Sequence, residues 1–288
     1  MEDELLYTYN GTGLELPTVG IKNAKLVIVG VPFDGTSSYR PGSRFGPGLI
    51  RQASLNLESY VLDYDVDLAE VPIADAGDIA IVAGDARKTA EHVKETVEDI
   101  KRINPDALPI LLGGEHSMTL GAVEALRPAS YVVFDAHLDL RDSYEDNPYS
   151  HACVARRIHE LGIREAMFGI RSGTKDEVDY ATQNDVTWVH ARNYSFDRFM
   201  EAIEGLPEPL YLSVDVDVFD VSLVPSTGTP EAGGLGFWDV VTAIEWLLGE
   251  KEIVGFDVME TAGSYLGDPT AVTAAKLLFY FMAAYASR

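Results

Sequence analysis

The chain is poor in cysteine, poor in positive charge and free of long apolar runs. Its single cysteine, Cys153, excludes an intrachain disulfide. Its 22 Lys and Arg stand against 46 Asp and Glu, a formal charge of −24, which argues against a nucleic-acid surface, since such surfaces release counterions through basic side chains. No apolar stretch approaches the ~20 residues that span a bilayer. Met1-Glu2-Asp3-Glu4 lacks the basic start and apolar core of a secretory signal, so the expected setting is the cytoplasm. Pro/Ser linkers, low-complexity tracts and fixed-period repeats are missing too. The 288 residues are therefore read as one domain, 1–288, opening with an N-terminal arm over 1–22. Such an acidic balance favours a basic substrate or a metal. Arginine outnumbers lysine among the few bases, which would suit a high-salt cytosol.

What is present is strand and helix in alternation. Apolar runs of strand character occupy 25–33, 71–76, 108–112, 131–135, 166–170, 186–189, 210–214 and 253–258. Helical periodicity lies between them, as over 87–103, 237–248 and 270–285. This alternation predicts an α/β fold with a parallel sheet, whose strand carboxyl ends form the ligand-binding rim. Periodicity alone leaves open whether the sheet is open or closed into a barrel.

Three charged runs sit at that rim. Asp135-Ala136-His137-Leu138-Asp139 follows the apolar Tyr131-Val132-Val133-Phe134, and Ser213-Val214-Asp215-Val216-Asp217 follows Pro209-Leu210-Tyr211-Leu212. Alternate residues of an extended chain share a face, so each run aims a row of ligand atoms one way. Buried carboxylates are costly unless paired or metal-bound, and few Lys or Arg lie near these four aspartates. A divalent metal answers that cost. Leu111-Leu112-Gly113-Gly114-Glu115-His116-Ser117 adds a histidine at a third strand end. The Gly/Pro-rich segment from Gly30-Val31-Pro32 through Arg40-Pro41-Gly42 to Pro47 does not fit a dinucleotide fingerprint and is expected to cover the rim. There Arg40 and Arg44 would pair with acidic neighbours or a partner subunit, or simply pack the loop.

Gly113-Gly114-Glu115-His116-Ser117, Asp135-Ala136-His137-Leu138-Asp139 and Ser213-Val214-Asp215-Val216-Asp217-Val218-Phe219-Asp220 together resemble the three signatures of the ureohydrolase family of arginase and agmatinase. The likeness extends to Val31-Pro32-Phe33-Asp34-Gly35-Thr36, Tyr149-Ser150-His151, Gly228-Thr229-Pro230-Glu231 and Asp257-Val258-Met259-Glu260, in order along nearly the whole chain. It implies a single-domain, three-layer αβα fold with an eight-stranded, mostly parallel open sheet of the arginase/deacetylase type, assembled into homo-trimers or homo-hexamers. It also implies two Mn²⁺ per subunit, one held by His116, Asp135, Asp139 and Asp215 and the other by Asp135, His137, Asp215 and Asp217. Oxygen-rich ligation with few imidazoles suits Mn²⁺.

The resemblance further implies hydrolysis of a guanidinium by a water shared between two cations, whose charge depresses its pKa. Asp139 would ligate metal and hold that water, Glu260 would bind the guanidinium fork, and His151 would hand a proton to the leaving amine. The expected substrate is agmatine, giving putrescine and urea, because the 141–148 loop carries Asp142, Glu145 and Asp146 and suits an amine tail. Asp142 is accordingly expected to bind substrate. N1-aminopropylagmatine is the near alternative; arginine and guanidinobutyrate are others. A catalytically silent regulatory subunit and an amide deacetylase are the readings of other classes. The chain departs from the family pattern at Glu115, Ala152, Val221 and Thr261-Ala262-Gly263-Ser264. Cys153 is expected to be a buried inert thiol, Asp220 to orient the site, and His92, His159 and His190 to occupy helix or loop positions.

Overall fold

The computed structural model describes Leu5 and residues 7–9, 13–263 and 265–288. Part of the expected 1–22 arm, including Met1 to Glu4, and Ser264 lie outside the described residues. The strands in chain order are β1 (Thr8–Tyr9), β2 (Leu26–Val31), β3 (Tyr60–Val61), β4 (Val66–Asp67), β5 (Ile73–Ile79), β6 (Leu108–Gly113), β7 (Ser130–Phe134), β8 (Arg164–Ile170), β9 (Thr187–His190), β10 (Leu210–Asp215) and β11 (Ile253–Met259). The helices are α1 (Gly46–Ser54), α2 (Ala86–Ile103), α3 (Thr119–Leu126), α4 (Val154–Glu160), α5 (Lys175–Gln183), α6 (Phe196–Glu204), α7 (Phe237–Glu250) and α8 (Pro269–Ala286).

Nine strands form one open sheet in the order β1-β5-β2-β6-β11-β10-β7-β8-β9. The eight strands expected from the apolar runs are all there and mutually parallel. The ninth, β1, pairs antiparallel with β5 at the edge. Two residues carry no readable period, so the expected count of eight falls one short. β3 and β4 make a separate small hairpin.

Alternation along each central strand feeds two cores. Leu26 and Ile28 face the layer of α1, α6, α7 and α8, while Val27 and Val29 face that of α2 to α5. Helix ends obey local chemistry. Asp85 accepts the Lys88 N–H at 3.0 Å to start α2, whose last turn carries Lys101 and Arg102 against the helix dipole. Thr174 and Glu177 form a reciprocal capping box on α5.

Strand register positions the site. Phe134 of β7 lies opposite Val214 of β10, so Asp135 and Asp215 leave their strands side by side. Asp215 lies opposite Met259 of β11, which brings Glu260 to the same edge. Glu260 N–H then donates to Gly114 O at 2.8 Å, joining the end of β11 to that of β6. Among the described residues no helix is long and apolar enough to cross a membrane.

Candidate metal centre and active site

His116, Asp135, Asp139, Asp215 and Asp217 are buried at the carboxyl ends of β6, β7 and β10, with His137 partly exposed beside them. His116 Nδ1 lies 3.0 Å from Asp135 Oδ2, 3.3 Å from Asp215 Oδ2 and 3.6 Å from Asp139 Oδ2. His137 Nδ1 lies 3.0 Å from Asp217 Oδ2 and 3.6 Å from Asp135 Oδ1. Two ligand groups result, His116/Asp135/Asp215 and Asp135/His137/Asp217, with Asp135 common to both through different oxygens. Asp215 sits with the first group. Its Oδ1 accepts the Asp217 N–H at 2.9 Å.

These residues fit a pair of divalent cations. His116 Nδ1 and Asp135 Oδ2 are buried without a hydrogen-bond partner among the described residues, 3.0 Å apart. Such orphaned atoms are otherwise rare in native interiors. The far side of the ring supplies the reason. Ser213 Oγ gives its one proton to Asp257 Oδ1 and so can only accept from His116 Nε2–H, 2.9 Å away, with the Tyr131 hydroxyl 3.1 Å from the same nitrogen. That leaves the Nδ1 lone pair aimed at the carboxylates, the arrangement by which outer partners orient a metal-ligating imidazole. Four carboxylates also match the charge of two divalent ions. Without ions, protons take their place: burial and the Asp135 charge push the Asp139 carboxyl up to about 7. Burial and the neighbouring Asp217 raise Asp215 well above its ordinary value. Partial desolvation lowers His137, but the charges of Asp217 and Asp135 raise it above its ordinary value.

A cavity of about 240 Å³ opens onto this cluster, lined among others by His151, Glu260, Tyr144, Arg141 and Thr229. Glu260 Oε1 accepts the His116 N–H at 2.8 Å. A Cβ at Gly228 would come within 3.1 Å of Glu260 Oε2, so glycine there keeps the second oxygen free on the cavity side. Burial, with the Glu115 charge, raises the Glu260 carboxyl well above its usual range. Asp139 and Glu260 both hold left-handed backbone, at φ 51° and 62°. For glutamate that conformation is uncommon and costs about 1–3 kcal/mol. His151 is held over the cavity by the rim loop, near Thr36 and Ser38. Burial and the positive His137 lower its pKa to about 4.

Asp142 does not join this cavity. Its side chain is 79% exposed and lies 3.2 Å from Arg157 and 3.7 Å from Arg156, so α4 takes its charge. Arg141 lines the wall instead, stacked 4.6 Å over the Tyr144 ring and 3.6 Å from Glu177. In the rim loop Arg44 pairs with Asp34 at 2.5 Å, and Arg40 donates to Pro225 O at 3.0 Å. Cys153 is buried and its thiol is pushed up to about 12 by burial. Asp220 accepts Ser222 N–H at 3.0 Å and Gly233 N–H at 3.1 Å, so it shapes the loop behind Asp217. His92 stacks on Tyr7, His159 faces Glu165, and His190 accepts Arg192 N–H, all away from the cluster.

Sequence reading missed three contributors. Arg171 donates to six main-chain carbonyls, those of Gly169, Asp217, Val218, Phe219, Glu231 and Ala232. Carbonyl partners leave no charge pattern to read. Ser213 stands inside a recognised run, but only the packed strands show its link between His116 and Asp257. Thr36 touches both Glu115 and His151.

The sequence profile of the arginase family matches residues 24–284. A Thermococcus kodakarensis protein named N(1)-aminopropylagmatine ureohydrolase is 71% identical over 283 residues, covering 98% of each chain. A Pyrococcus horikoshii protein named agmatinase is 62% identical, covering 96% of this chain and 97% of its own. The crystal structure of agmatine ureohydrolase of Thermoplasma volcanium superposes with a TM-score of 0.88 at 37% identity, covering 97% of this chain and 96% of that one. None of these likenesses bears on a salt-adapted surface.

Proposed function

The chain belongs to the arginase family, and on that premise we propose that it is a ureohydrolase acting on an alkylguanidine with a cationic tail, agmatine first. The observation that carries this reading is the pair of imidazole–carboxylate groups sharing Asp135 beneath a cavity walled by Glu260 and His151. Asp135, His116, His137, Asp139, Asp215 and Asp217 would hold two divalent ions, with Mn²⁺ suited to the oxygen-rich set. When bound, that pair supplies a water acidic enough to ionise near neutral pH.

The protein's own groups do the rest. Glu260 Oε2 faces the cavity and pairs with the planar guanidinium, as carboxylates do with arginine. Asp139, oriented by its left-handed backbone, accepts a hydrogen bond from the attacking water. As the C–O bond forms and a C–N bond breaks, the attacking water gives up a proton; His151 Nε2 gains it and returns it to the departing nitrogen on the cavity side. Urea and the free amine leave.

A second reading, N1-aminopropylagmatine as substrate, is favoured by the name of the 71% identical relative, which would be met by a longer cationic tail in the same cavity. The cationic tail rests on these relatives and on the net charge of −24; Asp142 adds nothing to it. We further place the whole chain, 1–288, in one cytoplasmic domain assembled as a homo-trimer or homo-hexamer. The deciding experiment is urea release from agmatine, N1-aminopropylagmatine, arginine and guanidinobutyrate with Mn²⁺. The best kcat/KM should fall on one of the first two. No urea from any of them would leave a silent subunit or an amide hydrolase.

A further inference from the structure

We propose that Thr36 and Glu115 form a positioning relay that holds the His151 ring in one tautomer, with its proton on Nδ1 and its lone pair on Nε2. The inference rests on the reading of His151 as proton donor. It follows from counting protons. A threonine hydroxyl has one proton to give and two lone pairs to accept with. Thr36 Oγ1 lies 2.6 Å from Glu115 Oε1, and the same carboxylate accepts the Thr36 N–H at 2.8 Å and the Ser117 hydroxyl. Three donors converging on Glu115 hold it as an acceptor, so the Thr36 proton is committed to it.

The lone pairs of Thr36 therefore face His151. One accepts the His151 main-chain N–H at 3.0 Å, and the other lies 3.3 Å from Nδ1. Two acceptors cannot bond each other, so Nδ1 carries the proton. Ser150 Oγ, 3.4 Å from Nδ1, can accept from the same N–H. A neutral imidazole has one such proton, which leaves Nε2 bare, with the Ser38 hydroxyl 3.3 Å away as its donor.

This tautomer has a consequence for proton transfer. The atom that gains and returns a proton is Nε2, while Nδ1 stays tethered and the ring cannot turn without breaking the Thr36 contact. The Tyr144 ring, edge-on at 6.1 Å, packs beside it. Glu115 takes both the main-chain and the side-chain donor of Thr36, tying the end of β6 to the rim loop.

The test is ¹⁵N–¹H long-range correlation on ¹⁵N-histidine-labelled protein loaded with diamagnetic Mg²⁺, with the His151 signal assigned by its loss in His151→Ala. His151 should show a protonated Nδ1 and a bare Nε2. Thr36→Val should mix the tautomers and lower kcat about tenfold or more, with KM and metal content little changed, and Thr36→Ser should restore both. A bare Nδ1 in the unmodified protein, or an unchanged tautomer in Thr36→Val whatever its kcat, overturns the relay. The first of these needs no folded Thr36 variant. Full turnover in His151→Ala would remove the proton-donor reading while leaving the tautomer measurement to judge the relay.

Discussion

The guanidinium of Arg171 donates to the main-chain carbonyl of Asp217 at 2.5 Å. A residue after β8 thereby clamps the turn that carries Asp217, a candidate metal ligand, away from β10. Planar donors meet carbonyls of 217–219 on one side and 231–232 on the other, which a single ammonium cannot reproduce. Arg171→Lys should destabilise the fold by on the order of 2 kcal/mol. Chemical denaturation and metal analysis of the same sample check this, with Mn²⁺ retention expected to fall as well. Unchanged retention would confine Arg171 to stability.

Ser213→Ala removes the nearer partner of His116 Nε2, leaving Tyr131 Oη at 3.1 Å, and removes one of the donors to Asp257, while touching no substrate-facing atom. Outer partners of a ligating histidine are worth about 10- to 100-fold in metal affinity. Mn²⁺ affinity should drop by that factor, read by titration against a competing chelator, with kcat largely restored at saturating metal.

Ion removal should cost stability as well as activity, because four buried carboxylates lose the charge that balances them. Binding at a thousandfold excess over Kd stabilises by about 4 kcal/mol. Melting after exhaustive chelation should occur well below that of the Mn²⁺-loaded protein, and readdition should restore it.

Glu260→Gln keeps an acceptor for the His116 N–H but discards the charge that meets the guanidinium. Its kcat/KM should fall about 100-fold, worth nearly 3 kcal/mol, with metal content intact. Asp142→Asn, at an exposed side chain paired with Arg157, should leave kcat/KM within about twofold. A large loss in Asp142→Asn would return that residue to the substrate's tail.

Glu165 on β8 is buried, 3.3 Å from His159 Nδ1, and neither of its oxygens has a hydrogen-bond partner among the described residues. Burial pushes its carboxyl up to about 7, with His159 pulling the other way. The folded pKa lies above the unfolded value, so the native state binds the extra proton and stability is lost as pH rises from about 4.5 through 7. Denaturation of Mn²⁺-loaded protein across that window should show a fall on the order of 2 kcal/mol that flattens in Glu165→Gln. Equal slopes in the two proteins would refute the assignment.

The parallel strands were legible because the central ones, β2, β6, β7 and β10, are apolar on both faces, as sheets covered by helices on two sides require. The two-residue β1 was not, since pairing with β5 rather than its own pattern makes it a strand. The imidazoles and carboxylates of the site were legible for a related reason: alternating charge inside apolar surroundings is too costly to keep unless cations balance it. Asp142 was read toward the substrate from its acidic sequence neighbours, whereas its spatial neighbours, Arg156 and Arg157, arrive from α4.

Composition and local pattern thus sufficed for the layers, the parallel sheet and the ligand-bearing strand ends, because burial periodicity and the cost of uncompensated charge act within a few residues. Which oxygen of Asp135 meets which imidazole, which way His116 turns its lone pair, and what steadies His151 depended on packing. Those relationships join groups 97 residues apart in His116–Ser213 and 115 apart in Thr36–His151. Hydrogen-bond direction is set by the neighbours that strand register brings within 3 to 4 Å, and no short-range pattern in the chain encodes it.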